Sequence, residues 1–229
     1  MEDLEPISDF EQDSFCVELM KRLNLQRGQN YLCDVTLVAR EGKEFKAHRN
    51  VLTAASPFFA KLLQSDMKER EEGVIRFQEI SESVMEDVLE FVYTGIVEIN
   101  EESVKDLIVA ADYLLLVCLK TLSGRFLEQQ LSISNCISTF YFAEKYQCEE
   151  LVINSRNFIH DNFASVAEMD EFLNLEAKEV AMWISSDEIC IADEKDVFKI
   201  MQNWVEQNKS ERKAKFEELF RHVRLVDLC

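Results

Sequence analysis

A chain of 229 residues with 47% hydrophobic content can bury one large core or two modest ones. Its formal net charge of −19 is shared by both halves, with 14 basic against 25 acidic residues in 1–131 and 11 against 19 in 132–229. So acidic a surface repels phosphate backbones and anionic headgroups, which argues against nucleic-acid and membrane partners.

The acidic start, MEDLEPISDFEQD, lacks the basic region and apolar run of a secretory signal. The most apolar stretch, Leu107–Leu119, is interrupted by Asp112 and is too short to cross a bilayer. Seven cysteines form no CxxC pair, which suits free thiols in the reducing cytoplasm or nucleus. His48, His160 and His222 lie far apart in sequence, so neither a zinc site nor a cofactor is expected. Two prolines and five glycines leave little material for linkers and favour a mostly helical chain.

In chain order, Asp9 can cap a first helix running to about Leu25, with Phe15, Cys16, Leu19, Met20 and Leu23 on one apolar face. That face must pack on its own domain or on a second copy across a symmetric interface. Asp34–Arg40 alternates as a strand, Glu41-Gly42 turns the chain, and Lys43–Ala47 returns as a second strand. Ser56 caps a helix whose first residue is Pro57, with Phe58, Phe59, Leu62 and Leu63 at helical spacing. The polar QSDMKEREEG follows, with Met67 its one large apolar residue, and then a short strand at Val74–Phe77.

Ser81 caps the next helix and Gly95 stops it in the left-handed conformation. Val97–Ile99 reads as an edge strand. Helices follow from Asn100 or Glu101 to Leu115 and from Leu116 to Leu131. Beyond Ser134 the pattern is helical throughout, in short pairs like a small solenoid. The clearest of these helices is Glu194–Gln207, capped by Asp193, with Val197, Phe198, Met201, Trp204 and Val205 on one face. No Ser/His/Asp or Cys/His arrangement and no glycine-rich phosphate loop occurs, so catalysis is not expected. His48 reads as a hydrogen-bonded turn histidine.

These segments carry a resemblance. CDVTLVAREGKEFKAHRNVLTAASPFFAKLL, then FVYTGIVEI and VKDLIVAADYLLLVCLKTLSGRFLEQQL, resemble the BTB/POZ domain. LSISNCISTFYFAEKYQCEELVINSRNFIHDNF is similar to the helical hairpin called the 3-box, and the stretch from Glu168 to the end of helix 194–207 resembles the BACK domain of kelch-like proteins. The implied fold is an α+β BTB/POZ domain, a small sheet with a helical cluster, over 1–131. An all-α BACK helical repeat region, with the 3-box and a partial BACK domain, follows over 132–229.

The resemblance implies a non-catalytic homodimeric adaptor that recruits cullin-3 to a ubiquitin ligase, with the ubiquitination substrate held by a C-terminal kelch propeller. No kelch repeats precede Cys229, so the chain reads as a piece of a longer protein. In this family the N-terminal helix lies in the dimer interface, which assigns Phe15, Cys16, Leu19, Met20 and Leu23 to it. The family pattern adds a buried Asp34 paired with Arg49 near the same interface. The family's cullin-3 contact, an apolar residue, any residue and glutamate, falls on Met67-Lys68-Glu69, where methionine's flexible thioether can fill a pocket. Tyr93 is carried over as a further cullin-3 contact, and Phe140, Tyr141 and Tyr146 as residues of a 3-box groove for a cullin-3 extension. The alternative is a cytoskeletal or transcriptional assembly platform that dimerises without cullin-3. BTB domains of zinc-finger repressors share the fold but not the BACK-like helices.

Overall fold

In the computed structural model, which describes residues 14–64, 73–191 and 194–220, the first unit is organised around strand β1 (Val35–Val38), whose four side chains are all buried. Antiparallel pairing with β2 (Glu44–Ala47) sets Val35 opposite Ala47 and Leu37 opposite Phe45. Parallel pairing with β3 (Val74–Arg76) sets Leu37 beside Ile75, so the order is β2-β1-β3. A central strand covered on both faces needs apolar or satisfied polar residues at every position. Thr36 meets that condition by accepting a hydrogen bond from Lys46 Nζ at 2.8 Å. The chain enters β3 through Gly73 at φ 64°, where a Cβ would lie 3.2 Å from the Asp34 carbonyl oxygen. Glycine suits this position because it adopts positive φ freely and lets the two backbones approach.

Helices α1 (Phe15–Gly28), α2 (Arg49–Ala55), α3 (Pro57–Gln64), α4 (Glu82–Thr94), α5 (Val104–Tyr113) and α6 (Val117–Gln129) accompany the sheet. Leu37, Leu52, Phe59, Met85, Leu89 and Leu107 are fully buried and form the centre of this unit's core. Ser56 caps α3, accepting the Phe58 N–H at 3.1 Å while its hydroxyl donates to the Leu114 carbonyl at the end of α5. Ser81 accepts the Val84 N–H at the start of α4, and Gly95, at φ 72°, donates to Phe91 O at 2.7 Å to close it.

The expected edge strand at Val97–Ile99 is not formed, since these residues pair with no strand of the sheet. Val97 and Ile99 instead pack their side chains on the core. An alternating pattern supplies a buried face but not a ladder partner. Asn100 Oδ1 then accepts the Glu102 and Ser103 N–H groups at 3.1 and 2.9 Å, so α5 opens at Val104.

The hairpin turn is bonded to α4, because the Glu41 carboxylate accepts the Glu82 N–H at 2.9 Å and the Arg40 guanidinium at 2.8 Å. A hydrogen bond from its own backbone, together with these two partners and against partial desolvation, holds the Glu41 carboxyl below its ordinary 4.5. A carboxyl depressed by folding contributes stability above pH 4.5 and loses it as the pH falls through the folded value. Glu41→Gln is therefore expected to lower Tm above pH 4.5, with the difference from the parent chain closing as the pH drops further. Thermal scans across that range check this, and a difference independent of pH would contradict it.

The chain divides into two compact units at residues 120 and 121, within α6. The second unit holds α7 (Cys136–Lys145), α8 (Glu149–Asp161), the short α9 (Phe163–Val166) and α10 (Asp170–Leu173), α11 (Ala177–Ile184), α12 (Glu194–Gln207) and α13 (Lys209–Phe220). Among the described residues it contains no strand. Phe140, Phe163, Phe172, Trp183 and Trp204 fill its core. Trp204 donates its indole N–H to Leu175 O at 2.9 Å, and the Arg212 guanidinium lies 4.3 Å from its ring centroid. A capping box of Glu176 and Glu179 opens α11. Asp193, the expected cap of α12, lies outside the described residues.

Candidate interaction site

Met67, Lys68 and Glu69 lie outside the described residues, while α3 on one side and Gly73–Arg76 on the other are described. Beside these flanks is an aromatic group that sequence reasoning missed. The half-buried Phe58 meets the Tyr113 ring at 5.0 Å between centroids, and Phe77 meets Tyr113 edge-on at 6.4 Å. Tyr113, the last residue of α5, is 57% exposed. A cavity of about 440 Å³ opens between the β3–α4 connection and α5, lined by Phe77, Gln78, Asp106, Val109 and Tyr113. The available signal was Tyr113 itself, a large amphipathic side chain at the end of the helix, but its spatial neighbours Phe58 and Phe77 are distant in sequence.

Tyr93 is a correction. It is 0% exposed, and its hydroxyl oxygen accepts the His48 backbone N–H at 2.8 Å and lies 2.9 Å from His48 Nδ1. His48 Nε2 lies 3.0 Å from the Tyr31 carbonyl, which can only accept. The neutral imidazole therefore carries its proton on Nε2 and accepts the Tyr93 O–H at Nδ1. Burial pushes the Tyr93 phenol above its ordinary 10.0, partly offset by the His48 N–H. Tyr93 thus joins the turn before α2 to α4 and offers nothing to a partner.

The expected apolar face of α1 is two faces. Met20 and Leu23 pack on the unit's own core, and further along the same stripe Arg27 stands 5.1 Å from the Tyr93 ring centroid. Phe15 and Leu19 point away, 62% and 48% exposed. Cys16 begins the inward stripe but is exposed, because the core does not reach so far. Asp34 and Arg49 do pair, the Arg49 N–H donating to Asp34 Oδ1 at 2.7 Å with Arg49 Nε 3.9 Å from Oδ2. The Asp34 side chain is 58% exposed, however, which corrects the expectation of a buried charge. At that exposure the charge keeps its hydration, so the pair carries little desolvation cost.

In the second unit Phe140 is 1% exposed and packs edge-on against Trp183 at 5.0 Å between centroids. It is a core residue rather than part of an open groove. Tyr141 is half-buried, and burial pushes its phenol up to about 12. Tyr146, also half-buried, packs at a tilt against Phe142 with ring centroids 4.7 Å apart, and Lys145 lies 5.1 Å from its ring centroid.

Among the described residues no group of His, Cys, Asp and Glu could hold a metal ion, and no helix is long and apolar enough to cross a membrane. His160 lies 3.3 Å from Glu188 and 3.5 Å from Ser186. It sits 5% exposed against the Trp183 edge, and its carbonyl accepts the Cys190 N–H, so it fastens a loop to α8.

Residues 23–131 match the BTB/POZ domain family, and residues 136–228 match the BACK family, BTB And C-terminal Kelch. Kelch-like protein 11 of Homo sapiens is 36% identical over 228 residues, covering 96% of this chain and 32% of its own length. Kelch-like protein 2 of Homo sapiens is 37% identical over 205 residues, covering 90% and 34%. The chain thus spans about a third of the length of these curated relatives. The BTB domain of zebrafish PATZ1 superposes with a TM-score of 0.48 at 27% identity, covering 54% of this chain and 99% of that one. The chain carries a BTB/POZ domain followed by a BACK domain and is homologous to kelch-like proteins 11 and 2 over that region.

Proposed function

We propose that this BTB–BACK chain is the recruiting end of a non-catalytic, homodimeric adaptor that docks cullin-3 into a cytosolic ubiquitin ligase. The observation that carries the reading is the order of its two domains, shared with kelch-like proteins along nearly the whole chain. An outward apolar face on α1, unusual on so acidic a surface, supports pairing with a second copy. The docking segment is Met67-Lys68-Glu69, between α3 and β3, with Phe58 and Tyr113 on the same unit as an aromatic rim. Methionine is the apolar anchor and glutamate the acceptor of a charge-assisted hydrogen bond. From the second unit, Tyr146 and Tyr141 are proposed as further cullin-3 contacts. The ubiquitination substrate engages a separate domain of the whole protein.

Calorimetric titration with the N-terminal domain of cullin-3 tests this. Met67→Asp and Glu69→Lys are each expected to weaken binding at least about tenfold, as loss of an interface anchor does, with the thermal melt unchanged. Wild-type chain that does not bind cullin-3 would leave only the assembly-platform reading. Binding that survives both substitutions would remove this segment from the mechanism.

A further inference from the structure

The cavity of about 440 Å³ between the β3–α4 connection and α5 falls in the range of roughly 300–1,000 Å³ usual for small-molecule sites. On α5 it is lined by Asp106, Val109, Ala110 and Tyr113, spaced i, i+3, i+4 and i+7, so one face of the helix forms its wall. Seven residues advance a helix by about 10 Å, which sets a carboxylate at one end of that wall and an aromatic ring at the other. The β3–α4 side contributes Arg76, Phe77 and Glu79. The ring end is apolar, with the buried Phe77 edge-on to Tyr113.

Arg76, Glu79 and Asp106 are exposed, and among the described residues none of these three side chains has an ion-pair or hydrogen-bond partner. Elsewhere on the chain such groups do pair, as Arg40 with Glu41, Lys120 with Asp112 and Arg125 with Glu150. One guanidinium and two carboxylates thus line a single cavity without neutralising one another. A simple anion would gain Arg76 but meet two carboxylates, and a simple cation would leave the guanidinium unanswered. A body carrying both charges satisfies both sets, and a ring on the same body covers the open face of Tyr113.

We propose that this cavity binds a free aromatic α-amino acid as its zwitterion. The α-carboxylate accepts from Arg76, whose planar fork suits two parallel N–H···O bonds. The α-ammonium donates to Asp106, with Glu79 as a second acceptor, and the ring lies against Tyr113 and Ala110. The order along α5, charge first and ring last, matches the order of groups in such a ligand. No bond is made or broken, so the site is one of binding alone.

The test titrates the intact chain with L-tryptophan, followed by ligand-observed NMR. Tryptamine, which lacks the carboxylate, 3-indolepropionate, which lacks the ammonium, and glycine, which lacks the ring, are run in parallel. L-tryptophan is expected to saturate one site. Tryptamine and 3-indolepropionate are each expected to bind at least about tenfold more weakly, the worth of one hydrogen bond to a charged group. Glycine is expected not to bind. Arg76→Gln is expected to bind L-tryptophan no better than tryptamine, and Asp106→Asn combined with Glu79→Gln no better than 3-indolepropionate. All three side chains are exposed, so the thermal melt is expected to stay unchanged. A parent chain with no saturable L-tryptophan signal at millimolar concentration would overturn the proposal. So would tryptamine or 3-indolepropionate binding as tightly as L-tryptophan, or discrimination that survives in both variants. Tyr113 also belongs to the proposed docking rim, but the titration contains no cullin-3, so the two readings fail separately.

Discussion

Trp204→Ala is expected to destabilise the second unit by about 3–5 kcal/mol, the usual range for deleting a buried tryptophan. Trp204 is among the largest side chains fully enclosed in this chain. Its removal leaves a cavity bounded by α10, α12 and the start of α13, which the surrounding helices close only in part. The deletion also strands the Leu175 carbonyl, whose partner is the indole N–H at 2.9 Å. Arg212 loses the ring beneath its guanidinium but keeps its 2.8 Å hydrogen bonds to the Leu173 and Trp204 carbonyls. Those two bonds are to backbone, so they place a lower limit on what survives. For a unit of this size the loss corresponds to a fall in Tm of roughly 12–20 °C, measurable by far-ultraviolet circular dichroism. Trp204→Phe separates the contributions: it retains most of the apolar area, loses the hydrogen bond and a smaller part of the ring volume, and should cost less than the alanine variant, about 1–3 kcal/mol. A shift below roughly 4 °C for the alanine variant would mean that α12 is not held through this residue.

The double substitution Phe15→Asp and Leu19→Asp is expected to convert a dimer into a monomer of intact fold. Both residues are largely exposed in the single chain, so charge there costs the isolated fold little. Across a two-fold interface each substitution counts twice. Four apolar side chains at about 1.5 kcal/mol each give a loss on the order of 10⁴-fold in dimer affinity. Light scattering reads this directly as a halved mass. Met20 and Leu23 provide the control, because they pack on their own unit and their replacement should lower thermal stability as well. A parent chain that is monomeric at micromolar concentration, or a double variant that remains dimeric, would exclude this face from assembly.

What could be read from the residues follows from how far each signal reaches along the chain. Ser81, Gly95 and the Ser56-Pro57 pair mark helix ends through hydrogen bonds spanning three or four residues, and all three are where the local pattern puts them. The hairpin of β1 and β2 is local in the same way. Val97–Ile99 shows the limit, since alternation is local but a strand partner is not. The apolar residues of α1 read as one stripe because spacing cannot reveal where the core stops; it covers Met20 and Leu23 but does not extend N-terminally to Cys16. Tyr93 and Phe140 are carried over from the family resemblance as contact residues, yet both are buried, and burial is a property of the assembled unit. Phe58, Phe77 and Tyr113 converge only through the packing of three separate segments.

The mixed sheet also orders events in time. The β1–β2 hairpin closes over a few residues, whereas parallel pairing of β1 with β3 must wait until α2, α3 and the segment after them have been traversed. Contacts that close long loops form late, because the chain entropy is lost before the contact is gained. Residues 65–72 occupy the last connection before β3, so a nascent or partly unfolded chain does not hold their two ends at the folded spacing. Recruitment through Met67 and Glu69 would then report completed folding. On the proposed function, a copy whose β1–β3 pairing is incomplete would not be recruited.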